Sequence, residues 1–326
     1  FFNSMYQFKT IPFSSSRQDF EKLFLLEKTL DYDVPDYGSV DMLKYQASLI
    51  PKICNPQTEF LELDGTVLGY GYTGHQPWAF DETLLDSNIS IPHSKEFSRP
   101  AENYLASQIS NARNTQNVDT LRAWVFKNDE FMENLYFGAG FEKSLVEFIS
   151  IVLLDNFEAE KYIKYVNNFK DQSMEIHKLT ALKEDYVDWE DKLHELWFRV
   201  ELDVPSDIEV KEDKAWWKAN ILNPWHHSDD FYIVLDGDNW IALSAYDRSD
   251  QHIDTVSTNL TGVLPEYRRR SICTALKVHS LNDLKRQGFK SVFTSNEENN
   301  PMYLINLMLG FKKIGMEAGY KLSLNN

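Results

Sequence analysis

The sequence predicts an α/β protein made of two similar domains in tandem, and three observations support this. The chain has 326 residues, about twice the length of a typical domain. Both halves contain an Asp-Gly pair between two apolar, alternating runs, which is a strong signal for a β-hairpin. Both halves also end in a strand, a helix, a Gly-Phe pair and an apolar strand. We place the boundary in a polar stretch over 156–173, read as a helix or linker, which gives domains 1–160 and 161–326.

The elements of the two halves follow the same order. The first half predicts strands over 60–63 and 67–72 around Asp64-Gly65, a strand over 121–126, a helix over 129–137 and a strand over 146–154. The second half predicts strands over 231–235 and 240–245 around Asp236-Gly237, a strand over 291–295, a helix over 300–309 and a strand over 320–324.

Composition and charge narrow the class of protein. With 43% hydrophobic and 25% charged residues, the chain is typical of a folded globular protein. It has 33 basic and 50 acidic residues, a net charge of −17. Nucleic acids and anionic membrane surfaces select positively charged faces, so neither is expected as the main partner. A cationic small molecule fits this charge better.

Cysteine content and apolar runs predict a reducing compartment and no membrane span. Cys54 and Cys273 are far apart and form no CxxC pattern, so neither a disulfide framework nor a cysteine metal site is expected. No run of about 18 apolar residues is present. The N-terminal residues lack the features of a signal peptide, and we predict a cytoplasmic protein. Met5 is the predicted natural start, with residues 1–4 left over from cloning.

The most informative segment reads TGVLPEYRRRSICTAL from Thr261 to Leu276. It predicts a strand over 256–263, a turn through Pro265 and a helix whose apolar positions recur at helical spacing. From residue 265 to residue 290 there are seven basic and two acidic residues, against the charge of the whole chain. A helix N-terminus flanked by arginines is an anion-binding arrangement. Charge alone leaves open the alternative that the arginines form a solvated face.

This segment resembles motif A of the GCN5-related N-acetyltransferases (GNATs), V-x-P-x-x-R-G-x-G-I-A, in which the loop cradles the pyrophosphate of acetyl-CoA. The downstream TSNEENNPMYLINLMLGF resembles the C-terminal signature of the same family. The matching positions are Asn296, Asn300, Pro301, Met302, Asn306, Leu309, Gly310 and Phe311. The resemblance covers residues 173–326. It implies two tandem GNAT-type domains, each a mixed, splayed β-sheet flanked by helices, with acetyl-CoA as acyl donor in the second.

Three positions depart from motif A. Arg269, Ser271 and Cys273 stand where the family commonly has Gly, Gly and Ala. Ser271 keeps its backbone N–H but loses the conformational freedom and close approach that Gly allows. Cys273 is interpreted as a small helix residue, since a thiol nucleophile needs a basic partner. The resemblance still implies cofactor binding at this loop.

The first domain departs further from the family pattern. Aligning the two halves puts Phe97 at the position of Arg268 and Pro100 at the position of Ser271. Proline has no N–H to offer a phosphate. The segment NDEFMENLYFGAGFEK nevertheless retains the family ending, with Tyr136 four residues before Gly140. We therefore predict a degenerate first domain, 1–160, that keeps the fold and has lost its donor loop. This tandem layout resembles that of mycothiol synthase.

The resemblance also implies roles for individual residues. The expected cofactor-binding residues are Thr261, Gly262, Val263, Arg268, Arg269, Arg270, Ser271, Ile272, Cys273, Thr274 and Asn300. Asn306, expected at the thiolate, occupies the position where many relatives have a tyrosine general acid. Because an amide is no proton donor of that kind, Tyr303 or solvent must protonate the leaving thiolate. The alternative for Tyr303 is a packed helix residue.

Four acids are candidates for the acceptor side. Asp254 opens the strand before the donor loop and is predicted to be catalytic, as the base. Glu201, Asp203 and Asp207 lie in the segment that lines the acceptor pocket in relatives, and they are predicted to bind the acceptor. The alternative for each is a solvated surface acid.

The sequence therefore predicts an acetyl-CoA-dependent N-acetyltransferase that modifies a primary amine of a small, cationic acceptor by direct transfer. Inactivation of an antibiotic or self-toxin fits by analogy of fold. A different class is also open, namely a non-catalytic GNAT-fold binding protein or sensor. Aminoacyl transfer from tRNA is disfavoured by the negative charge.

Overall fold

A computed structural model describes residues 7–30, 38–126 and 130–325. The predicted start at Met5, residues 1–4 and the first residue of the helix predicted over 129–137 lie outside the described residues. Backbone contacts group the chain into two compact units. The first contains the chain up to Val146, Asp207–Lys211 and the chain from Met316 onward. The second contains Glu147–Ser206 and Glu212–Gly315.

The first unit has a mixed sheet with strands in the order β1, β2, β3, β4, β5, β12. These strands are β1 (Lys9–Pro12), β2 (Gln57–Leu63), β3 (Thr66–Gly74), β4 (Leu84–Ser90), β5 (Thr120–Val125) and β12 (Lys312–Ser323). β4 and β5 pair in parallel, and the other neighbours pair antiparallel. The helices are α1 (Arg17–Thr29), α2 (Val40–Leu49), α3 (Ser98–Arg113) and α4 (Glu130–Gly138).

The second unit repeats this arrangement, with strands in the order β6, β11, β10, β9, β8, β7. These strands are β6 (Glu142–Leu153), β7 (Glu175–Lys178), β8 (Phe231–Asp236), β9 (Asn239–Arg248), β10 (Thr255–Val263) and β11 (Ser291–Glu297). Here β10 and β11 form the parallel pair. The helices are α5 (Ile163–Lys170), α6 (Leu179–Asp185), α7 (Trp189–Glu201), α8 (Lys214–Ile221), α9 (Ile272–Gln287) and α10 (Pro301–Met308).

Each half of the chain supplies the last strand of the other half's sheet. β12, at the end of the second half, pairs with β5, with Tyr320 opposite Ala123. β6, at the end of the first half, pairs with β11, with Ile151 opposite Phe293. The sequence repeat predicted the two final strands but not this exchange, because alternation fixes which face a strand buries and not which strand it joins. The boundary at residue 160 stays a prediction.

Most of the predicted elements are confirmed, and the final strands are longer than expected. β6 begins at Glu142 and β12 at Lys312, ahead of the predicted 146 and 320. The first residues of both strands are exposed and several are charged, so they lack the apolar pattern on which the prediction depended. The polar stretch 156–173 contains short 3-10 turns and α5, which buries Phe169 in the core under α9.

The sheet of the second unit is covered on both faces. Ala242 and Tyr246 of β9 pack in the core that contains α9, whereas Leu243 and Ala245 pack in the core that contains α7. From Ala242 onward, alternation assigns even-numbered residues of β9 to the α9 face and odd-numbered residues to the α7 face, whereas Trp240 and Ile241, on the other side of a register shift with β8, have the opposite assignment. The residues of the candidate site are described below by the face of this sheet on which they lie.

Candidate functional site

The parallel strands β10 and β11 separate part of the way along their length. They pair only over Thr255–Ser257 and Ser291–Phe293. β10 continues to Val263 and stays paired with β9, and β11 continues to Glu297 and stays paired with β6. Each strand is hydrogen-bonded to its other neighbour, so over this length the ladder between β10 and β11 is interrupted. This opening can accept an extended chain with amide groups.

A β-bulge lies in β10 where the strands separate. The register with β9 shifts between Thr258 and Leu260, so that Asn259 is the extra residue. The Asn259 side-chain amide donates to Asp247 of β9 at 2.7 Å. Asp247 has an odd number in β9 and therefore lies on the α7 face. Sequence analysis missed this exposed carboxylate, although it interrupts an apolar strand.

The loop after β10 contains two residues in the left-handed region of backbone space. Arg269 has φ 63° and Ser271 has φ 61°, and both stand where motif A commonly has glycine. The first bond of α9 joins the Ala275 N–H to the Ser271 carbonyl at 3.0 Å, so the N–H groups of Ile272, Cys273 and Thr274 have no acceptor within the helix. Ser271 makes no side-chain capping bond. The loop thus directs a helix N-terminus to the end of the opening.

Substituting these two residues by glycine should relieve backbone strain. A non-glycine residue in the left-handed region costs about 1–2 kcal/mol, so Arg269→Gly and Ser271→Gly should each raise the free energy of unfolding by up to about 1 kcal/mol. We expect Ser271→Gly to bind acetyl-CoA equally or more tightly, because the loop backbone can approach a phosphate more closely. Calorimetry and urea unfolding measure both effects. The control is Ser271→Ala, which removes the hydroxyl and keeps the strain; a clear loss of affinity in both variants would instead assign the hydroxyl to the phosphate.

The three arginines of the loop have different surroundings. Arg268 donates through Nε to the Val263 carbonyl at 3.0 Å and through Nη2 to Asp203. Arg270 donates through Nε to Gln172 at 2.8 Å, and Gln172 donates back to the Arg270 carbonyl at 2.9 Å. Arg269 is exposed. The loop therefore carries three exposed positive charges beside the helix N-terminus, which is the chemistry of an anion site.

The end of β10 is held in place by a chain of hydroxyl groups. Thr261 bonds Ser244 at 2.8 Å, Ser244 donates to Tyr246 at 3.1 Å, and Tyr246 bonds Ser280 of α9 at 2.7 Å. Burial raises the pKa of Tyr246 to about 12, so it remains a neutral hydroxyl. A side chain on Gly262 would collide with Val200 of α7. These contacts fix Thr261, Gly262 and Val263 at the opening. Ser244, a polar residue within the apolar strand β9, is the sequence feature that could have indicated this hydroxyl chain.

The first turn of α9 packs against α10. Ile272 and Thr274 are buried, and the Cys273 sulfur lies 3.7 Å from the Met302 sulfur. Burial raises the pKa of Cys273 to about 11, which keeps the thiol protonated at neutral pH. This agrees with the interpretation of Cys273 as a packed helix residue that contributes its backbone N–H.

The three predicted residues of α10 and its cap differ in access. Asn300 caps the helix by accepting the Met302 N–H at 2.9 Å. The Tyr303 ring lies 5.2 Å from the Phe148 ring and is partly exposed. Asn306 is fully buried, and its N–H donates to Asn296 of β11 at 2.6 Å. One of the two N–H donors of the Asn306 side chain is therefore engaged, while its Oδ1 has no hydrogen-bond partner among the described residues.

Asp254 does not lie at this site, which corrects the sequence prediction, and Asp207 is bound within the first unit. Asp254 precedes β10 at the end opposite the loop, about 30 Å from Val263 along an extended strand. Proximity in sequence is misleading here because a strand separates its ends. Asp207 belongs to the first unit, where its buried carboxylate accepts from Arg122 at 3.1 Å and from Ser144 at 2.8 Å. Asp254 is therefore separated from the loop by the length of β10, and Asp207 is held in a charge network of the first unit.

The other two acids lie at the C-terminal end of α7. Glu201 is the last residue of α7, and burial raises the pKa of its carboxyl group. Asp203 follows in a turn, is 43% exposed and pairs with Arg268. Together with Asp247, these residues place carboxylates on the α7 face, opposite the face that carries the start of α9.

The corresponding place in the first unit is built differently. β4 and β5 also separate beyond Asp86 and Arg122, but the Asn88 side chain accepts the Trp124 N–H across the gap at 2.7 Å. Pro100 lies in the first turn of α3 and contributes no N–H. A cavity of about 1340 Å³ runs between α3 and α4. The first unit thus retains the cleft between helices, while its strand opening is bridged.

Comparison with solved structures shows that the fold is that of tandem GNATs. A GCN5-related N-acetyltransferase from Sphaerobacter thermophilus has a TM-score of 0.68 at 12% identity and covers 97% of this chain and 96% of its own. A tandem GNAT protein from the clavulanic acid biosynthesis pathway, solved without acetyl-CoA, has a TM-score of 0.68 at 13% identity. The match covers 98% of this chain and 99% of that chain.

A third structure covers a region of a larger protein. The glucosamine N-acetyltransferase region of a fungal multi-domain β-N-acetylglucosaminidase has a TM-score of 0.67 at 11% identity, covering 97% of this chain and 38% of that one. No protein-family sequence profile and no curated protein sequence matches the chain. The comparisons confirm the predicted tandem α/β fold, which supports acyl transfer in general.

The described residues contain neither a cluster suited to a metal ion nor a helix suited to a membrane. No group of three or more His, Cys, Asp or Glu side chains is arranged to hold a metal ion in the part of the chain that the structure describes. None of the helices described combines the length and apolar character that crossing a membrane requires.

Proposed function

We propose that the protein is an N-acetyltransferase whose second unit binds acetyl-CoA and transfers its acetyl group to a primary amine of a small, cationic acceptor. The observation that carries this proposal is the contrast between the two units. In the second, an open strand gap, a bulge and a basic loop at a helix N-terminus occur together. In the first, the gap is bridged by Asn88 and the helix start contains Pro100.

The donor set of the second unit fits acetyl-CoA. Backbone groups along the end of β10, around Thr261, complement the amides of a pantetheine arm, and the N-terminal N–H groups of α9 with the arginines complement a pyrophosphate. Acetyl-CoA supplies an acetyl thioester, which an amine attacks directly. No covalent enzyme intermediate is needed, so the chain's own task is to orient the thioester, bind the amine and accept its proton.

The acids of the α7 face are the candidates for the acceptor side. Burial raises the pKa of Glu201, which is the direction that makes a carboxylate a better proton acceptor. Asp203 and Asp247 add negative charge on the same face, which favours acceptors with additional positive charge. Tyr303, at the start of α10, is our candidate for protonating the departing thiolate. Aminoglycosides and polyamines are therefore suitable test acceptors.

A non-catalytic binding protein or sensor is the second candidate. The observation that favours it is Asn306, which stands at the position of the family's tyrosine acid and is buried with its N–H bonded to Asn296. Such a protein would bind CoA without turnover. The two candidates therefore differ in the release of free CoA when an amine is added.

The proposal predicts one acetyl-CoA per chain. Calorimetry with the full chain should give a stoichiometry of one, and Arg268→Ala/Arg270→Ala should weaken binding at least ten-fold, since each charge-assisted contact to phosphate contributes roughly 1.5–3 kcal/mol. The matched control is Arg113→Ala, which removes one positive charge from α3 of the first unit and should leave affinity unchanged. CoA release is then assayed with polyamines, aminoglycosides, amino acids and acyl anions at low and high salt.

Four results would contradict the proposal or part of it. Two sites per chain would assign a donor site to the first unit as well. Unchanged affinity for acetyl-CoA in the double arginine variant would show that the arginines of the loop form a solvated basic face and do not bind phosphate. Binding without CoA release for any amine would favour the sensor, and equal turnover of anionic acceptors would remove the electrostatic argument for a cationic one.

A further inference from the structure

Two ion pairs of opposite polarity join the loop before α9 to the C-terminal end of α7. Arg268 Nη2 donates to Asp203 Oδ2, and Arg199 Nη2 donates to Glu266 Oε1 at 2.8 Å. Arg199 and Asp203 belong to α7 and the turn after it, whereas Glu266 and Arg268 belong to the loop. All four side chains are exposed by 42–51%. The proposed donor loop is thus tied to the acceptor side by partners that solvent can reach.

These contacts engage Arg268 on two sides. Its Nε donates to the Val263 carbonyl at 3.0 Å, which holds the guanidinium near the end of β10. Its Nη2 is occupied by a carboxylate oxygen of Asp203. A guanidinium binds carboxylate and phosphate oxygens with the same fork of N–H groups. Asp203 therefore occupies the position that a cofactor phosphate would take on Arg268.

We propose that Asp203 competes with the pyrophosphate of CoA for Arg268, and that cofactor binding exchanges this ion pair and releases Asp203. The inference rests on the proposed function, since it assumes that the loop binds CoA. Release leaves a free carboxylate in the turn after α7, on the face assigned to the amine. A binding site for a protonated amine is then completed only after the acyl donor has bound. By linkage, the same exchange makes Asp203 weaken cofactor binding in the free protein.

The expected size of the competition follows from the exposure of the pair. Exposed ion pairs contribute little to stability, which corresponds to about a two- to five-fold change in an equilibrium constant. The ion pair therefore weakens CoA binding to a small extent and does not prevent it. High salt should reduce the effect, because both side chains face solvent.

The test is a calorimetric titration of CoA into four forms of the full chain: wild type, Asp203→Asn, Arg268→Ala and Asp203→Asn/Arg268→Ala. We expect Asp203→Asn to bind CoA about two- to five-fold more tightly than wild type. The gain should vanish when Arg268 is already absent. Glu195→Gln is the control for net charge, because it removes an equal charge from an exposed position of α7 that forms no ion pair with the other described residues. Its CoA affinity should equal that of wild type.

Hydrogen exchange provides a second measurement on the wild-type chain. With saturating CoA, the segment 201–206 should exchange faster, because it loses the Arg268 contact, while the segment 264–275 should exchange more slowly. Three results would overturn the proposal that CoA replaces Asp203 on Arg268. These are an Asp203→Asn affinity for CoA no higher than that of wild type, an equal increase in affinity in Glu195→Gln, and an increase that persists when Arg268 is absent. Protection of both segments also contradicts it. Failure of every form to bind CoA would instead refute the proposed function.

Discussion

Replacing Arg122 with methionine should destabilise the first unit by about 3–5 kcal/mol. The Arg122 guanidinium binds Asp86 through two N–H groups, at 3.0 and 3.2 Å, and Asp207 through a third, at 3.1 Å. The three side chains are only 8%, 3% and 5% exposed. Removing the guanidinium leaves the buried Asp86 carboxylate without its counter-charge and leaves Asp207 with Lys321 at 3.8 Å as its remaining cation, which costs far more than losing an exposed pair. Urea unfolding of the full chain measures the change.

Two further variants distinguish the buried charges from a packing defect. Arg17→Met removes an exposed arginine that pairs with Glu21 and Asp41, and it should change stability by no more than about 1 kcal/mol. Asp86→Asn/Arg122→Met/Asp207→Asn removes all three charges and should recover most of the loss. A triple variant as unstable as Arg122→Met would show that shape, and not charge, accounts for the effect.

The pH dependence of Arg122→Met has a definite sign. Burial raises the pKa of Asp86, and Arg122 opposes that rise. Without Arg122 the folded-state pKa of Asp86 rises further above its unfolded value. A carboxyl group with a raised folded-state pKa contributes stability below its unfolded pKa, and this contribution is lost as the pH rises through the folded pKa. The difference between wild type and Arg122→Met should therefore be smaller at about pH 4 than at about pH 7.

Local backbone chemistry explains which elements could be predicted from the sequence. The two hairpins required turn residues with positive φ, and Gly65 and Gly237 have φ of 80° and 58°. Helix α10 begins after the capping Asn300, with Pro301 at its first position, and it ends before Gly310, whose φ is 92°. These signals depend only on neighbours in the chain, so a single sequence contains them.

Long-range pairing explains what the sequence could not predict. The apolar alternation of β6 and β12 fixes which residues are buried, but both strands satisfy it equally well beside β5 or β11. The segment Asp207–Lys211 joins the first unit through the Arg122 charge network, and nothing near Asp207 in the sequence indicates that arginine. The error over Asp254 is of the same kind, because a strand carries residues away from each other at about 3.3 Å per residue.

The backbone features of the candidate site could be predicted from the sequence, whereas its side-chain contacts could not. The position of the loop and the start of α9 followed from motif A. The contacts of Asn259 with Asp247 and of Asn88 with Trp124 did not, because each joins residues on neighbouring strands. The left-handed φ of Ser271 was implied by the family's glycine, yet only the structure shows that a serine adopts it here.

Replacing Lys277 with methionine should stabilise the protein by up to about 3 kcal/mol at pH 7. Lys277 lies in α9, is fully buried, and its Nζ has no hydrogen-bond partner among the described residues. Its Nζ lies over the Phe311 ring, 5.4 Å from the ring centroid. Burial lowers the pKa of Lys277 to about 8, with Cys273 opposing this slightly. The folded protein therefore bears the cost of a buried charge that methionine, of similar shape, does not carry.

The pH profile separates this charge effect from a gain in packing. Below the lowered folded-state pKa of about 8, Lys277 is protonated in both states and the full cost is present. Between that value and its unfolded pKa of about 10.4, the unfolded state binds more protons, so wild-type stability contributed by this group rises with pH. Lys277→Met should lack this rise, and its advantage should shrink as the pH increases through that interval. The matched control is Lys285→Met on the same helix, which should destabilise, because Lys285 donates to the Phe157 carbonyl at 2.8 Å.

A measurement of acetyl-CoA binding tests whether the buried Lys277 amine has a role in ligand binding or only destabilises the fold. Lys277 lies on the helix whose first turn is the proposed anion site, about 1.4 turns after the helix begins at Ile272. We therefore expect Lys277→Met to bind acetyl-CoA with wild-type affinity while unfolding at higher urea. A ten-fold loss of affinity in the stabilised variant would contradict this and would make Lys277 a ligand-binding residue. Equal stability of wild type and Lys277→Met at pH 7 would show that the charge is compensated within the fold.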